Sequence, residues 1–373
     1  MKKAYKRSGI RPDVAVVCLV TALVTLGLVF VYSASMYSAQ KDFGDKYYFL
    51  NKQIVGALVG AAAMTGAAFF PAEKLKKAAV PLFIASVVLL GLVFVPGLGI
   101  ENYGAKRWIG VGGFSFQPSE IAKFAFVILA SAYMAKRPAD MKKFRGILAV
   151  AAMGVTVCLL VIAEPNMSIT MCVALVMVAM MFIGGAKIRH LAMCLLPLAV
   201  AVPLLIAVEP YRMARLMAYL DPWASPKGEG YQLIQSFYAL GSGGWFGVGL
   251  FNSRQKFDFL PFAESDFIFA VIGEEIGFVG AVGVLCLYAA LIYFGVKIAR
   301  NAVSRFQCYL ASGVTCVIAI QTLLNIAVVT GTIPPTGLPL PFASSGGTSL
   351  MVFMAAAGVL VSVYRNSVKN RVA

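Results

Sequence analysis

Histidine occurs once in this 373-residue chain, at position 190. Acidic residues are scarce too, with 16 Asp and Glu against 32 Lys and Arg. Charged residues of both signs make up only 13% of the chain, about half the share in soluble domains. Chemistry built on several imidazoles is therefore excluded, and proton transfer away from position 190 must use a carboxylate. The seven cysteines (18, 158, 172, 194, 286, 308 and 316) form no CxxC pair and lie in or beside apolar runs. There a thiol packs as a small hydrophobe, so neither a disulfide framework nor a zinc site is indicated. No composition shift marks a soluble domain, and no internal repeat is visible.

What the chain has in abundance is apolar surface: 60% hydrophobic residues and a mean hydropathy of +0.83. Runs long enough to cross a bilayer, about 17–25 residues, fall near 14–36, 48–70, 78–95, 117–135, 147–163, 167–185, 188–208, 266–296, 306–331 and 346–364. The expectation is an all-α polytopic membrane protein, a single domain over 1–373 with about ten spans. A cytoplasmic N-terminus (1–13), a large external loop (209–265) between helices seven and eight, and a cytoplasmic C-terminus (365–373) complete it. The net charge of +16 follows this topology. The segments expected inside hold 21 of the 32 basic residues against only Asp13, Glu73 and Asp140, as the positive-inside rule requires. A nucleic-acid partner would want one basic face with polar readers, so none is expected. The basic start, apolar run and SAS at 33–35 resemble a signal peptide, but an apolar run of about 20 residues exceeds a signal core. A retained first helix is expected. His190 falls on the inner side, which removes an external Ser-His-Asp triad or His-built zinc site.

Three stretches that fit lipid poorly fall at the outer ends of helices four, eight and ten. In NYGAKRWIGVGGFSFQPSEIAKFAF (102–126), Pro118 after Gln117 suits a helix start. Glu120 and Lys123, three apart, share a face about one turn below the surface. They read equally as a structural ion pair or as a site where Lys123 meets an anionic headgroup and Glu120 orients it. Lys106 and Arg107 could add phosphate contacts, and Trp108 an interfacial anchor. In PFAESDFIFAVIGEE (261–275), a carboxylate inside the bilayer costs about 2.5–3.5 kcal/mol on insertion scales. On a helical wheel Ala270, Gly273, Gly277 and Gly280 lie near Asp266, a small-residue stripe that permits close helix approach. Asp266 is the candidate for chemistry, while Glu274 and Glu275 are expected to bond neighbouring helices. Phe262, Phe267 and Phe269 would raise the pKa of Asp266 by desolvation, whereas a helix N-terminus favours the anion. In VVTGTIPPTGLPLPFASSGGTSL (328–350), prolines and glycines break an apolar run, which is tolerated where backbone lines protein or a cavity. Ser345, Gly346 and Gly347 then open a helix whose N–H groups suit a diphosphate, although a buried re-entrant turn would look the same. The loop at 221–261, with aromatics, Gln235, Arg254 and Lys256, has the composition of a sugar-binding surface or of a flexible external loop.

Four ordered motifs carry a resemblance: RWIGVGGFSFQPSEIAK (107–123), DPW…GYQLIQSFYALGSGGWFGVGL (221–250), SDFIFAVIGEE (265–275) and PPTGLPLPFASSGGTS (334–349). Over residues 12–366 the chain resembles the SEDS family (shape, elongation, division and sporulation), with wording nearer to FtsW and SpoVE than to RodA. The resemblance implies a ten-helix peptidoglycan polymerase of the bacterial cytoplasmic membrane. Its implied substrate is lipid II at the external face, and its implied partner a class B penicillin-binding protein. A divalent cation (Mg or Mn) is implied as well, its ligands unknown. The family's essential aspartate falls on Asp266 and its fourth-helix ion pair on Glu120 and Lys123. Departures occur at Glu264 and Ser265, where the family has His and Thr, at Asn166, where it has an acid, and at Ser345, where it has Tyr. The implied reaction is an inverting β-1,4 glycosyl transfer with Asp266 as general base. Two rivals are a lipid II flippase, which would place its charges nearer the midplane, and a non-catalytic scaffold for the penicillin-binding protein.

Overall fold

The computed structural model describes residues 10–102, 105–111, 114–208 and 210–372. α1 (Pro12–Phe43) opens with proline in its first turn and an Arg11–Asp13 ion pair at 2.7 Å, and it closes on Gly44 at φ 71°. The chain continues as α2 (Tyr48–Phe69), α3 (Ala72–Leu92), α4 (Pro118–Lys136), α5 (Phe144–Ala163), α6 (Met167–Ile183) and α7 (Ile188–Val208). The interval expected as one long loop is partly helical, with α8 (Pro210–Leu220), a 3₁₀ turn at Pro222–Ala224 and α9 (Tyr231–Gly243). α10 (Ile268–Arg300), α11 (Arg305–Val329) and α12 (Gly347–Val372) complete the bundle. Among the described residues, eight helices, α1 to α5 and α10 to α12, are long and apolar enough to cross a membrane, and α6 is apolar but shorter, at 17 residues.

Between α3 and α4 lies an element absent from the all-helical expectation. β1 (Gly99–Asn102), β2 (Ala105–Val111) and β3 (Phe114–Phe116) form a three-stranded antiparallel sheet in the order β1-β2-β3. The β1–β2 register shifts between Ile100 and Glu101, which pair with Trp108 and Lys106 and leave Arg107 as the extra residue of a bulge. Ala105 and Ile109 are buried and Lys106 is exposed, while Arg107 turns towards the end of α5, where it meets the Glu164 and Pro165 carbonyls.

α10 is not one rod. At Gly277 the backbone leaves the helix (φ 69°, ψ −173°), because the segment after α9 is pressed into it. A β-carbon on Gly247 would sit 2.2 Å from the Glu275 carbonyl, and one on Gly243 2.0 Å from the Gly273 carbonyl. The glycine stripe expected to meet a spanning helix instead receives the end of α9 and the turn after it. Asp266 also precedes the helix by two residues rather than lying within it, so the wheel drawn from it does not extend past Gly277.

The three unusual stretches do meet. Ser344 Oγ donates to the Ser265 carbonyl at 2.6 Å, and Ser345 N–H to the Glu264 carbonyl at 2.8 Å. Thr348 Oγ1 donates to the Ser115 carbonyl of β3 at 3.4 Å. α4, α10 and α12 all start at this end of the bundle and run towards the end that carries Lys136, Lys297, Arg300, Arg365 and Lys369.

Candidate active site

Asp266 is half-buried at the entrance to α10. Its backbone is fixed by Asn325 of α11, whose amide donates to the Asp266 carbonyl at 2.8 Å and to the Leu338 carbonyl at 2.7 Å. Its carboxylate rests against Gly337, which adopts φ 74°; a β-carbon there would lie 3.0 Å from Asp266 Oδ2 and 4.0 Å from Ser168 Oγ of α6. That conformation and that distance both require glycine. Ser265 Oγ donates to Asp266 Oδ1 at 3.0 Å. Burial raises the carboxyl above its ordinary range; the Ser265 hydroxyl, Arg215 of α8 and Arg107 of β2 pull it back in part. The arrangement is an acid of raised basicity, open on one side, within the field of two guanidinium groups.

Arg107 donates from Nε to the Glu164 carbonyl at 3.2 Å and from Nη2 to the Pro165 carbonyl at 2.5 Å. Arg215 lies 3.7 Å from Glu229 and donates to the Pro335 carbonyl at 3.4 Å, which ties α8 to the broken stretch. Beside Arg107, the Glu164 carboxyl is fully buried and neither of its oxygens has a hydrogen-bond partner among the described residues. Burial pushes its pKa up to about 8 against the opposing pull of Arg107, so it is protonated at neutral pH. Its ordinary pKa lies near 4.5. Between that value and about 8 the native state holds a proton that the unfolded chain releases, so stability falls as pH rises across that window. Glu164→Gln removes the penalty. We expect a gain on the order of 1–3 kcal/mol at pH 7 that vanishes near pH 4.5, read from melting of the purified protein across pH.

Glu120 and Lys123 are each about 1% exposed and paired at 3.0 Å. Lys123 also donates to Gln321 Oε1 at 2.5 Å and lies 5.2 Å from the Phe353 ring, while Ser349 Oγ donates to Glu120 at 3.2 Å. Gln321 in turn donates to the Pro339 carbonyl at 2.9 Å. The pair thus knits α4, α11, α12 and the broken stretch together beneath Asp266, with its charges turned inward.

Other expected contacts are placed differently. Lys106 is exposed and Trp108 half-buried on β2, and Gln117 is half-buried at the start of α4. The N–H of Ser345 is taken by Glu264, and that of Gly346 donates to Gln53 Oε1 at 3.2 Å. Two of the donors expected to meet a diphosphate at Ser345, Gly346 and Gly347 are therefore already satisfied, which corrects that expectation. Gln235 is half-buried on α9. Arg254 and Lys256 gather around Glu274 and Glu275, nearly two turns along α10. Glu274 accepts from Ser253 Oγ at 2.5 Å and Arg254 N–H at 2.9 Å, and Glu275 from Ser33 Oγ at 2.5 Å and Ser253 N–H at 3.3 Å. Lys256 is buried, donates to the Phe251 carbonyl, and has its pKa lowered by burial. It is a clamp inside this loop rather than a free substrate contact. Asn166 accepts from Ile169 N–H at 3.3 Å and caps α6.

Among the described residues no three His, Cys, Asp or Glu side chains gather to hold a metal ion.

The pattern that defines the cell cycle protein family of FtsW, RodA and SpoVE matches residues 14–369. The chain belongs to the SEDS family. It is 38% identical to stage V sporulation protein E of Bacillus subtilis, across 95% of this chain and 98% of that protein. Identity is also 38% to the probable peptidoglycan glycosyltransferase FtsW of Geobacter sp. strain M18, across 94% and 96%. Among solved structures, this SEDS protein superposes with a TM-score of 0.79 and 31% identity on a chain of a peptidoglycan synthase complex that coordinates polymerization and crosslinking, covering 94% and 97% of the two chains. The rod shape determining protein RodA of Thermus thermophilus matches with a TM-score of 0.70 and 29% identity, covering 94% and 96%. The helical fold and multi-pass membrane character expected from the sequence are those of this SEDS protein.

Proposed function

We propose that this chain polymerises peptidoglycan by joining lipid II-linked disaccharides, with Asp266 as general base. The observation that carries the reading is the Asp266 carboxylate, open on one side, raised in basicity and flanked electrostatically by Arg107 and Arg215. Names of relatives that are peptidoglycan glycosyltransferases support the same reaction class. The 4-hydroxyl of the acceptor sugar gives its proton to Asp266 as its oxygen bonds to C1 of the donor glycan. The C1–oxygen bond to the lipid diphosphate breaks, and the diphosphate leaves with the electron pair. One displacement turns an α-linked donor into a β-1,4 product, so a single carboxylate suffices. Arg107 and Arg215 meet the charge that develops on the leaving diphosphate.

The site end lies opposite the basic ends of the helices. Basic residues favour the cytoplasmic side, so the reaction takes place at the external face, with both termini inside. A class B penicillin-binding protein is the expected partner, by analogy with the synthase complex of similar fold. The test is polymerisation of purified lipid II by the purified chain, with and without that partner. Glycan polymer that disappears with Asp266→Asn supports the reading. Headgroup exposure across liposomes without polymer would instead establish the flippase.

A further inference from the structure

At the basic end of the bundle, far from Asp266, α2, α3 and α12 part to leave an apolar cavity of about 430 Å³. Its walls include Gly66, Ala67, Phe70, Leu75 and Val359, with Ser362 as the one polar side chain. Ser362 is already committed: its hydroxyl donates to the Phe70 carbonyl at 2.5 Å and accepts from Ala72 N–H at 3.2 Å. The slot therefore offers nothing to a polar group and is shaped by the pinned turn between α2 and α3. Both helices are largely uncovered by protein, with 22% and 17% of their apolar windows buried, so the slot faces lipid.

Two cations each lie one helical turn from a residue that lines it. Lys76 lies one turn beyond Ala72 and shares its face of α3. Arg365 lies one turn beyond Ser362, its guanidinium 4.2 Å from the Phe69 ring. Glu73, the nearest acid in sequence, is turned away and accepts from Ser304 at 2.9 Å and Gln307 at 3.2 Å, against α11. Basic pockets between membrane helices recognise anionic headgroups. We propose that this slot binds one anionic phospholipid, an acyl chain between α2, α3 and α12 and its phosphate between Lys76 and Arg365.

The experiment is native mass spectrometry of the full-length protein released from micelles holding phosphatidylglycerol and phosphatidylcholine with matched acyl chains. Each basic residue near a headgroup is worth about fivefold, so the wild type should retain phosphatidylglycerol at least about tenfold more than phosphatidylcholine. In the Lys76→Gln/Arg365→Gln double variant the preference should fall below about twofold. Gly66→Leu fills the slot, since a β-carbon there meets nothing within 4 Å, and should reduce retention of both lipids. Lys187→Gln/Arg189→Gln, exposed at the same end but away from the slot, should keep the preference. Equal retention of the two lipids by the wild type, an equal loss in the Lys187/Arg189 control, or unaltered binding by Gly66→Leu overturns the assignment.

Discussion

Asn in place of Asp266 yields a folded protein whose polymerisation rate is lower by about 10²–10⁴-fold, the usual worth of a positioned general base. The amide is nearly isosteric, so Gly337, Ser265 and the Asn325 contacts can all persist. What disappears is the proton acceptor. Melting should not suffer, because a neutral amide avoids the desolvation that raises the native carboxyl. The pH profile supplies the second check. Burial lifts the Asp266 pKa above its ordinary value near 3.8, so the acid limb of the wild-type rate sits above that value. As pH falls through the raised pKa the base becomes protonated and the rate drops. An undiminished rate in the variant would remove Asp266 from the chemistry.

Lys123→Met has the largest expected effect on stability. It strands the Glu120 carboxylate in a site about 1% exposed, and breaking a buried pair from one side costs about 3–5 kcal/mol. The yield of folded protein should fall sharply. Adding Glu120→Gln removes the stranded charge and should restore most of the loss. If Lys123 instead gripped a headgroup, the single variant would fold normally and show a raised KM for lipid II. The two roles are separated by which measurement moves.

The bundle was legible because apolar runs of membrane length are hard to mistake, and because the charge bias along the interhelical segments has one physical cause. The sheet was hidden. β2 is seven residues long, it bulges at Arg107, and its Lys106 and Arg107 also read as a basic loop. Asp266 stood out as an acid beside an apolar run. Glu164 carries the same signal at the end of α5, but its neighbours Pro165 and Asn166 give it the look of an ordinary helix-connecting turn. Arg215 and Gly337 could not be found along the chain. Arg215 belongs to the site only because α8 folds back onto Pro335, and Gly337 only because the broken stretch crosses in front of α10. Lys256 misled because a lysine in a polar, aromatic loop looks solvent-facing, whereas the carboxylates of Glu274 and Glu275 draw that loop inward.

The break at Gly277 divides α10 into two levers of unequal length. The short one, up to Ile276, is anchored by Glu274 and Glu275 to the loop and to α1. The long one, from Phe278 to Arg300, spans roughly 34 Å at 1.5 Å per residue. Tilting it by about 5° would swing its far tip by roughly 3 Å without disturbing the carboxylate at the other end. Phe278 and Val279, at its near end, donate to the Gly244 and Trp245 carbonyls at 2.9 and 3.1 Å, so a tilt imposed from the basic end is passed to the turn after α9 rather than along the helix.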